Sequence, residues 1–144
     1  MTAFSKPHDA AEPLGFVVEV DGERASFVMD LGYVPEAVEY MIEGSEYLLF
    51  ESNHDVDLER NSGRPWYLVR RVLGNLGHLS NDQAGDTLSR LVTDQTKHVI
   101  LSHLSQDCNT PDLACDVVSR CLLRAGKPCR VSAAPPGLLA VFGE

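Results

Sequence analysis

The chain has 144 residues, 44% of them hydrophobic and 23% charged, with a mean hydropathy of -0.11. That is ordinary globular composition, and it excludes the disordered, collagenous and membrane-spanning classes while leaving room for one compact core. Its 12 Lys+Arg against 21 Asp+Glu give a net charge of -9, and no basic run offers the electrostatic footprint of a module that coats nucleic acid, so chemistry on nucleic acid would have to draw on bound cations.

The N-terminal string MTAFSKPHD lacks the basic start and apolar stretch of a signal peptide, and no segment approaches the roughly 18 apolar residues of a membrane span. A cytoplasmic protein is expected. The four cysteines, Cys108, Cys115, Cys121 and Cys129, have spacings that match no zinc knuckle or redox pair, and they read as reduced thiols packed around one helix.

After an irregular start, Gly15 to Val20 (GFVVEV) and Arg24 to Met29 (RASFVM) are β-rich runs around Asp21-Gly22, a dipeptide that accepts the positive φ angles of a tight hairpin. Pro35 suits a first helical position, and Ala37, Val38, Met41 and Ile42 recur at helical spacing until Gly44 stops them. Tyr47 to Phe50 (YLLF) is a continuous apolar run of the kind found in a strand buried on both faces, and the polar cluster Glu51 to Asp55 sits at its carboxyl end. Pro65 starts a helix through Trp66, Val69, Arg70, Val72 and Leu73. Ser80 with Gln83 forms a capping-box pattern opening a helix to about Val92. Lys97 to Ser102 (KHVILS) is another buried-type strand, ending at His103, and Thr110-Pro111 opens a helix closed by Gly126. Arg130 to Ala133 and Leu138 to Phe142 read as two closing strands. A hairpin followed by alternating helices and strands argues for a sheet covered by helices, with ligands collecting at strand ends.

Four of the five histidines stand in polar, loop-like contexts: His8, His54, His78 and His103. Asp30 ends a hairpin strand. Imidazole nitrogens and carboxylate oxygens are the usual ligands of zinc, manganese and iron, and these spacings are too wide for a local finger, so any site must be assembled in space. Singly, each residue also has an ordinary structural reading. His98 reads as a hydrogen-bonded strand residue, Asp30 as a turn cap, Asn53 to Asp55 as turn residues, and His78 as a helix-entry residue. Their joint placement at strand ends is what raises a metal or phosphate site to equal standing.

Several strings in this order resemble the later half of the metallo-β-lactamase fold hydrolases, in the branch of small bacterial exonuclease-like phosphodiesterases. They are FSKPHDAAEPLGF over 4–16, MDLGYV over 29–34, LFESNHD over 49–55, GHLSN over 77–81 and LSHLS over 101–105 followed by Asn109-Thr110-Pro111. The resemblance covers nearly the whole chain. It implies an α/β fold, the C-terminal half of an αββα sandwich, with a mixed sheet flanked by helices and a two-metal site, zinc or manganese, at one sheet edge. It assigns His8, Asp30 and His103 as ligands, with Asp30 bridging both metals. His78 corresponds to a histidine placed near the scissile phosphate, where it donates a proton to the leaving oxygen or steadies the phosphoryl oxygens. Asn53 and His54 match a substrate-side loop, and Asn81, in the same string as His78, is placed there too.

The family's His-x-His-x-Asp-His signature is missing from this sequence. The resemblance therefore implies that residues 1–144 are a partial domain whose N-terminal half is absent, that the metal site is incomplete here, and that the upstream DNA encodes the signature in frame. The expected function is metal-dependent hydrolysis of a phosphodiester, nucleic acid being the substrate, with the 144-residue chain inactive by itself and Arg64, Arg70 and Arg71 able to hold a phosphate backbone locally. The alternatives are a half-domain that associates through its exposed sheet, and a hydrolase of a small ester, lactone, thioester or cyclic phosphodiester.

Overall fold

In the computed structural model, which describes residues 1–134, the elements run β1 (Thr2–Ser5), β2 (Leu14–Val20), β3 (Glu23–Val28), α1 (Glu36–Ile42), β4 (Tyr47–Glu51), α2 (Val56–Arg60), α3 (Trp66–Val72), α4 (Asn81–Leu91), β5 (His98–Ser102), α5 (Pro111–Arg124) and β6 (Arg130–Ala133). The expected strand at Leu138–Phe142 lies outside the described residues. The local signals act as their chemistry requires. Asp21 and Gly22 take φ of 53° and 84° and close a two-residue hairpin in which Val20 pairs with Glu23. Ser80 Oγ accepts from the Gln83 N–H at 3.2 Å while Gln83 Oε1 accepts from the Ser80 N–H at 2.9 Å, which completes the capping box. Thr110 Oγ1 caps α5 through the Leu113 N–H.

Two elements differ from the sequence reading. The start is a strand, because Phe4 lies over Gly15, its cross-strand partner; a Cβ on Gly15 would come within 2.5 Å of the Phe4 ring, so the glycine makes the ring's seat. The second is α2, a helix of 5 residues capped by Asp55, whose Oδ1 accepts from the N–H groups of Asp57 and Leu58 at 3.0 and 2.9 Å. It is too short to show a 3.6-residue period.

The six strands form one mixed sheet in sequence order. β1, β2 and β3 pair antiparallel, while β3, β4, β5 and β6 pair parallel. One face carries Val17, Val28, Leu48, Phe50, Val99 and Leu101, which are buried in a single cluster against Val38 and Ile42 of α1, Ala84, Leu88 and Leu91 of α4, and Ala114, Val118 and Leu122 of α5. This apolar burial is the dominant stabilising force. On the other face Phe16, Phe27 and Leu49 stand in register across β2, β3 and β4, and all three are only partly buried. The four cysteines are free thiols, with Cys115 and Cys121 on α5 and the other two near its ends, as the spacing suggested. Among the described residues no helix is long and apolar enough to cross a membrane.

The segment that delivers His78 is held by a close backbone approach. A Cβ on Gly77 would lie 2.2 Å from both the Arg71 and Val72 carbonyl oxygens, and backbone atoms at the end of a packed helix cannot yield as a side-chain tip does. Gly77→Ala should therefore cost about 2–3 kcal/mol and displace the neighbouring histidine. A thermal melt that matches the parent would contradict this packing.

Candidate metal centre at the strand ends

The parallel arrangement of β3, β4 and β5 brings three carboxyl termini side by side, with Val28 opposite Phe50 and Glu51 opposite Ser102. Asp30 follows β3, Glu51 is the last residue of β4, and His103 follows β5. Asp30 and His103 both take the left-handed conformation, each with φ of 57°, which non-glycine residues adopt only where the surroundings hold them. His78 arrives from the loop before α4, fixed by Gly77. One ligand atom from each of Asp30, Glu51, His78 and His103 lies within 4.8 Å of the others.

Glu51 is the hub. Its side chain is fully buried, its Oε1 accepts from His103 Nδ1 at 2.7 Å and His78 Nδ1 at 2.9 Å, and its Oε2 accepts from the backbone N–H groups of Leu31 and Leu79 at 3.0 and 3.2 Å. Burial by itself would push this carboxyl up, but the two imidazole hydrogen bonds and the Leu31 N–H outweigh it and hold the group at about 2. The reciprocal bond to Glu51 raises His103 above its ordinary value, against the effect of burial. Asp30 Oδ1 stands 3.1 Å from His103 Nδ1 and 3.9 Å from His78 Nδ1. Lys6 Nζ donates to the Asp30 carbonyl at 2.6 Å, and its partial burial lowers the ammonium's pKa despite the nearby carboxylates.

The donor set suits a divalent cation. Two imidazoles and two carboxylates are hard-to-borderline donors, and four ligands at about 2.1 Å around a tetrahedral ion stand about 3.4 Å from one another. The spread of these atoms is within about an ångström and a half of that.

The structure brings together three of the expected site residues, Asp30, His78 and His103, and sets His8 at their edge. His8 Nδ1 donates to the Gly77 carbonyl at 3.2 Å, its Nε2 stands 3.6 Å from Asp9 Oδ1, and its ring centroid is 5.2 Å from that of His78. Asn53, His54 and Asn81 are buried, at 8%, 1% and 1% exposure, behind the cluster. Asn53 Nδ2 donates to the His103 carbonyl at 2.6 Å. Asn81 Oδ1 accepts from Ser52 Oγ and Asn109 Nδ2 at 2.6 and 2.9 Å. Burial lowers the pKa of His54, whose Nδ1 has no hydrogen-bond partner among the described residues. His98 donates or accepts through Nε2 with Ser132 Oγ at 2.8 Å, a structural strand residue as expected. The residue missed by the sequence reading is Glu51. Its signal is a single carboxylate ending the apolar run YLLF at a strand's buried end.

A cleft of about 190 Å³ opens beside His78 between α3 and the loop carrying Asp9.

No family model matches the sequence. The chain is 38% identical over 124 residues, 86% of its length, to an exodeoxyribonuclease, YycJ, of Bacillus anthracis, of which it covers 47%. It is 34% identical over 112 residues, 78% of its length, to the exodeoxyribonuclease WalJ of Streptococcus pneumoniae, of which it covers 42%. The chain thus spans about half the length of the curated relatives it matches. Among solved structures it resembles Zn(2+)-bound PqqB from Methylobacterium extorquens, with a TM-score of 0.57 and 21% identity over 97% of this chain and 46% of that one. A mixed sheet flanked by helices, aligned with that protein over 97% of this chain, gives the chain the metallo-β-lactamase fold, and in sequence it is similar to the two exodeoxyribonucleases.

Proposed function

We propose that residues 1–144 are the C-terminal part of a metal-dependent phosphodiesterase that acts on nucleic acid in the cytoplasm. One observation carries this reading: Asp30, Glu51, His78 and His103 converge at three adjacent strand ends. The exodeoxyribonuclease names of the two relatives support the substrate class, and four free thiols support a reducing compartment.

His8, Asp30 and His103 would hold the metal, two zinc or manganese ions in the complete site with further ligands from outside this chain. Bound divalent cations supply neutralisation of phosphodiester charge and acidification of water. The chain's own groups do the rest. Glu51 accepts from His78 Nδ1 and so orients the ring, leaving Nε2 to meet the substrate beside the cleft, where the ring, when it carries a proton on both nitrogens, passes the Nε2 proton to the leaving oxygen and returns to neutral imidazole. Asn53 and Asn81 take a supporting place, through the His103 carbonyl and the Asn109 amide, which keeps His103 in its left-handed turn.

The test is metal content and hydrolysis together. The 144-residue chain should lose its metal on dialysis, and the full-length protein should cut a labelled oligonucleotide, stop on adding chelator and recover with Zn or Mn. Two tightly held ions in the short chain, or hydrolysis indifferent to chelator, would overturn the reading. A second reading, association through the sheet face, is supported by exposed Leu14 and Val20, which alternate along β2 onto the face that carries Phe16. A monomer with a cooperative melt in sedimentation and calorimetry of the same sample would refute it.

A further inference from the structure

The acidic residues are unevenly placed. In a chain with 21 Asp+Glu, residues 60–81 contain none, yet they hold four arginines, Arg60, Arg64, Arg70 and Arg71. The same segment includes two exposed aromatics, Trp66 and Tyr67, at 62% and 71% exposure. Aromatic rings of this size are normally largely buried, and here they stand on α3, whose inward side is marked by buried Val69. Helical spacing puts Trp66 one turn before Arg70, and Tyr67 one turn before Arg71. Two aromatic–arginine pairs therefore run along one exposed surface.

This surface continues into the cleft. Arg64, Leu68, Arg71 and Val72 line it from α3 and the residues just before it, and Asp9, Gly77 and His78 close it, so an apolar wall and two guanidinium groups meet at the histidine assigned to the leaving oxygen. At about 190 Å³ the cleft is smaller than pockets that enclose a drug-sized ligand, and it fits one ring with an attached phosphate. The partners of Arg71 and of the outer Arg64 nitrogen are replaceable. Arg71 Nε pairs with Asp9 at 2.6 Å and is itself 65% exposed, and Arg64 Nη2 pairs at 2.6 Å with Asp107, which is 73% exposed, while its Nη1 stays on the buried Glu59 carboxylate at 3.3 Å. Exposed pairs of this kind contribute little. Arg70 makes no ion pair among the described residues.

We propose that α3 and this cleft form a subsite for single-stranded nucleic acid, next to the scissile phosphate. Phosphates lie on Arg64, Arg70 and Arg71, bases stack on Tyr67 and Trp66, and one nucleotide ring enters against Leu68 and Val72. The inference deepens the proposed phosphodiesterase function and rests on it. Alternating arginines and exposed rings are the pattern by which proteins hold unpaired strands, since every base has a face to stack while a duplex conceals it.

The experiment uses the full-length protein and a fluorescein-labelled oligothymidylate of about 12 nucleotides with phosphorothioate linkages, followed by anisotropy at several salt concentrations. Tyr67→Ala should weaken binding about tenfold. Arg71→Gln should weaken it and reduce the slope of log affinity against log salt by about 0.7, while Arg120→Gln on α5 should leave that slope unchanged. Tyr67→Ala and Arg71→Gln proteins that bind as the parent does, with the parent's slope, would overturn the subsite; this is also the result expected if another part of the full-length protein covers α3. Equal affinity for a duplex of the same length would overturn its preference for single strands. The underlying reading fails separately, when the parent neither binds nor cuts oligonucleotides at all.

Discussion

Asp30→Ala in the full-length protein should abolish phosphodiester hydrolysis, by on the order of a thousandfold or more, because it removes the carboxylate that the site places within reach of both His78 and His103. The fold should survive. The Asp30 side chain is 45% exposed, so the loss of its contact with His103 is a small stability effect. Alanine at φ of 57° adds strain of about 1 kcal/mol, which Asp30→Asn avoids, since asparagine tolerates that conformation. The asparagine variant should be as inactive as the alanine variant while melting close to the parent. Activity within about tenfold of the parent in Asp30→Asn would mean that the essential carboxylate is elsewhere, and Glu51 would be the next candidate.

Glu51→Gln should have the largest effect on stability. In the metal-free protein the Glu51 carboxyl sits at about 2 against an ordinary 4.5. A carboxyl with a depressed folded-state value stabilises the fold at pH above its unfolded value, and that stabilisation fades as pH falls from about 4.5 towards 2. The gap corresponds to about 3 kcal/mol. The raised value of His103 is the same bond seen from the other partner. Its share is fully present below the ordinary 6.5 and is lost as pH rises past it, so the two are not added. Glu51→Gln should therefore cost about 3 kcal/mol in chelator at about pH 6, and the deficit should shrink to near zero by about pH 2. Urea unfolding at several pH values measures this, and a deficit that does not change with pH would show that glutamine fails for steric reasons alone. The variant also presents an amide donor to atoms that already donate, so it should loosen His78 and His103 as well as the fold.

Most of the fold is legible in the sequence because most elements carry a local chemical signal. Asp21-Gly22 announces a hairpin, Ser80 with Gln83 a helix start, and Gly44 and Gly126 helix ends, and each does what its backbone preference dictates. β1 and α2 carry no such signal. The strand exists because a distant glycine seats the Phe4 ring, and α2 exists because Asp55 caps a single short turn. In the candidate site, Asp30 and His103 are readable because each stands just beyond a buried-type strand, where ligands collect, and His78 because it precedes a recognisable helix cap. Glu51 is less so. A glutamate is almost never fully buried, and only the assembled fold supplies the two imidazoles and two N–H groups that make its burial tolerable. Asn81 and His54 look like surface polar residues in the sequence, and their burial likewise depends on partners from far along the chain.

The contact between Lys6 and the Asp30 carbonyl has a consequence for how long the site persists once formed. β1 spans 4 residues at the rim of the sheet, with Phe4 as its one buried side chain, and segments of that kind open at far lower free energy than central strands. When it peels away, Lys6 leaves the turn that positions Asp30, and His8 leaves Gly77 beside His78. In the 144-residue chain taken by itself, amide exchange in residues 2–8 then reports how often the assembled donors come apart, through fraying of this strand rather than of the centre of the sheet.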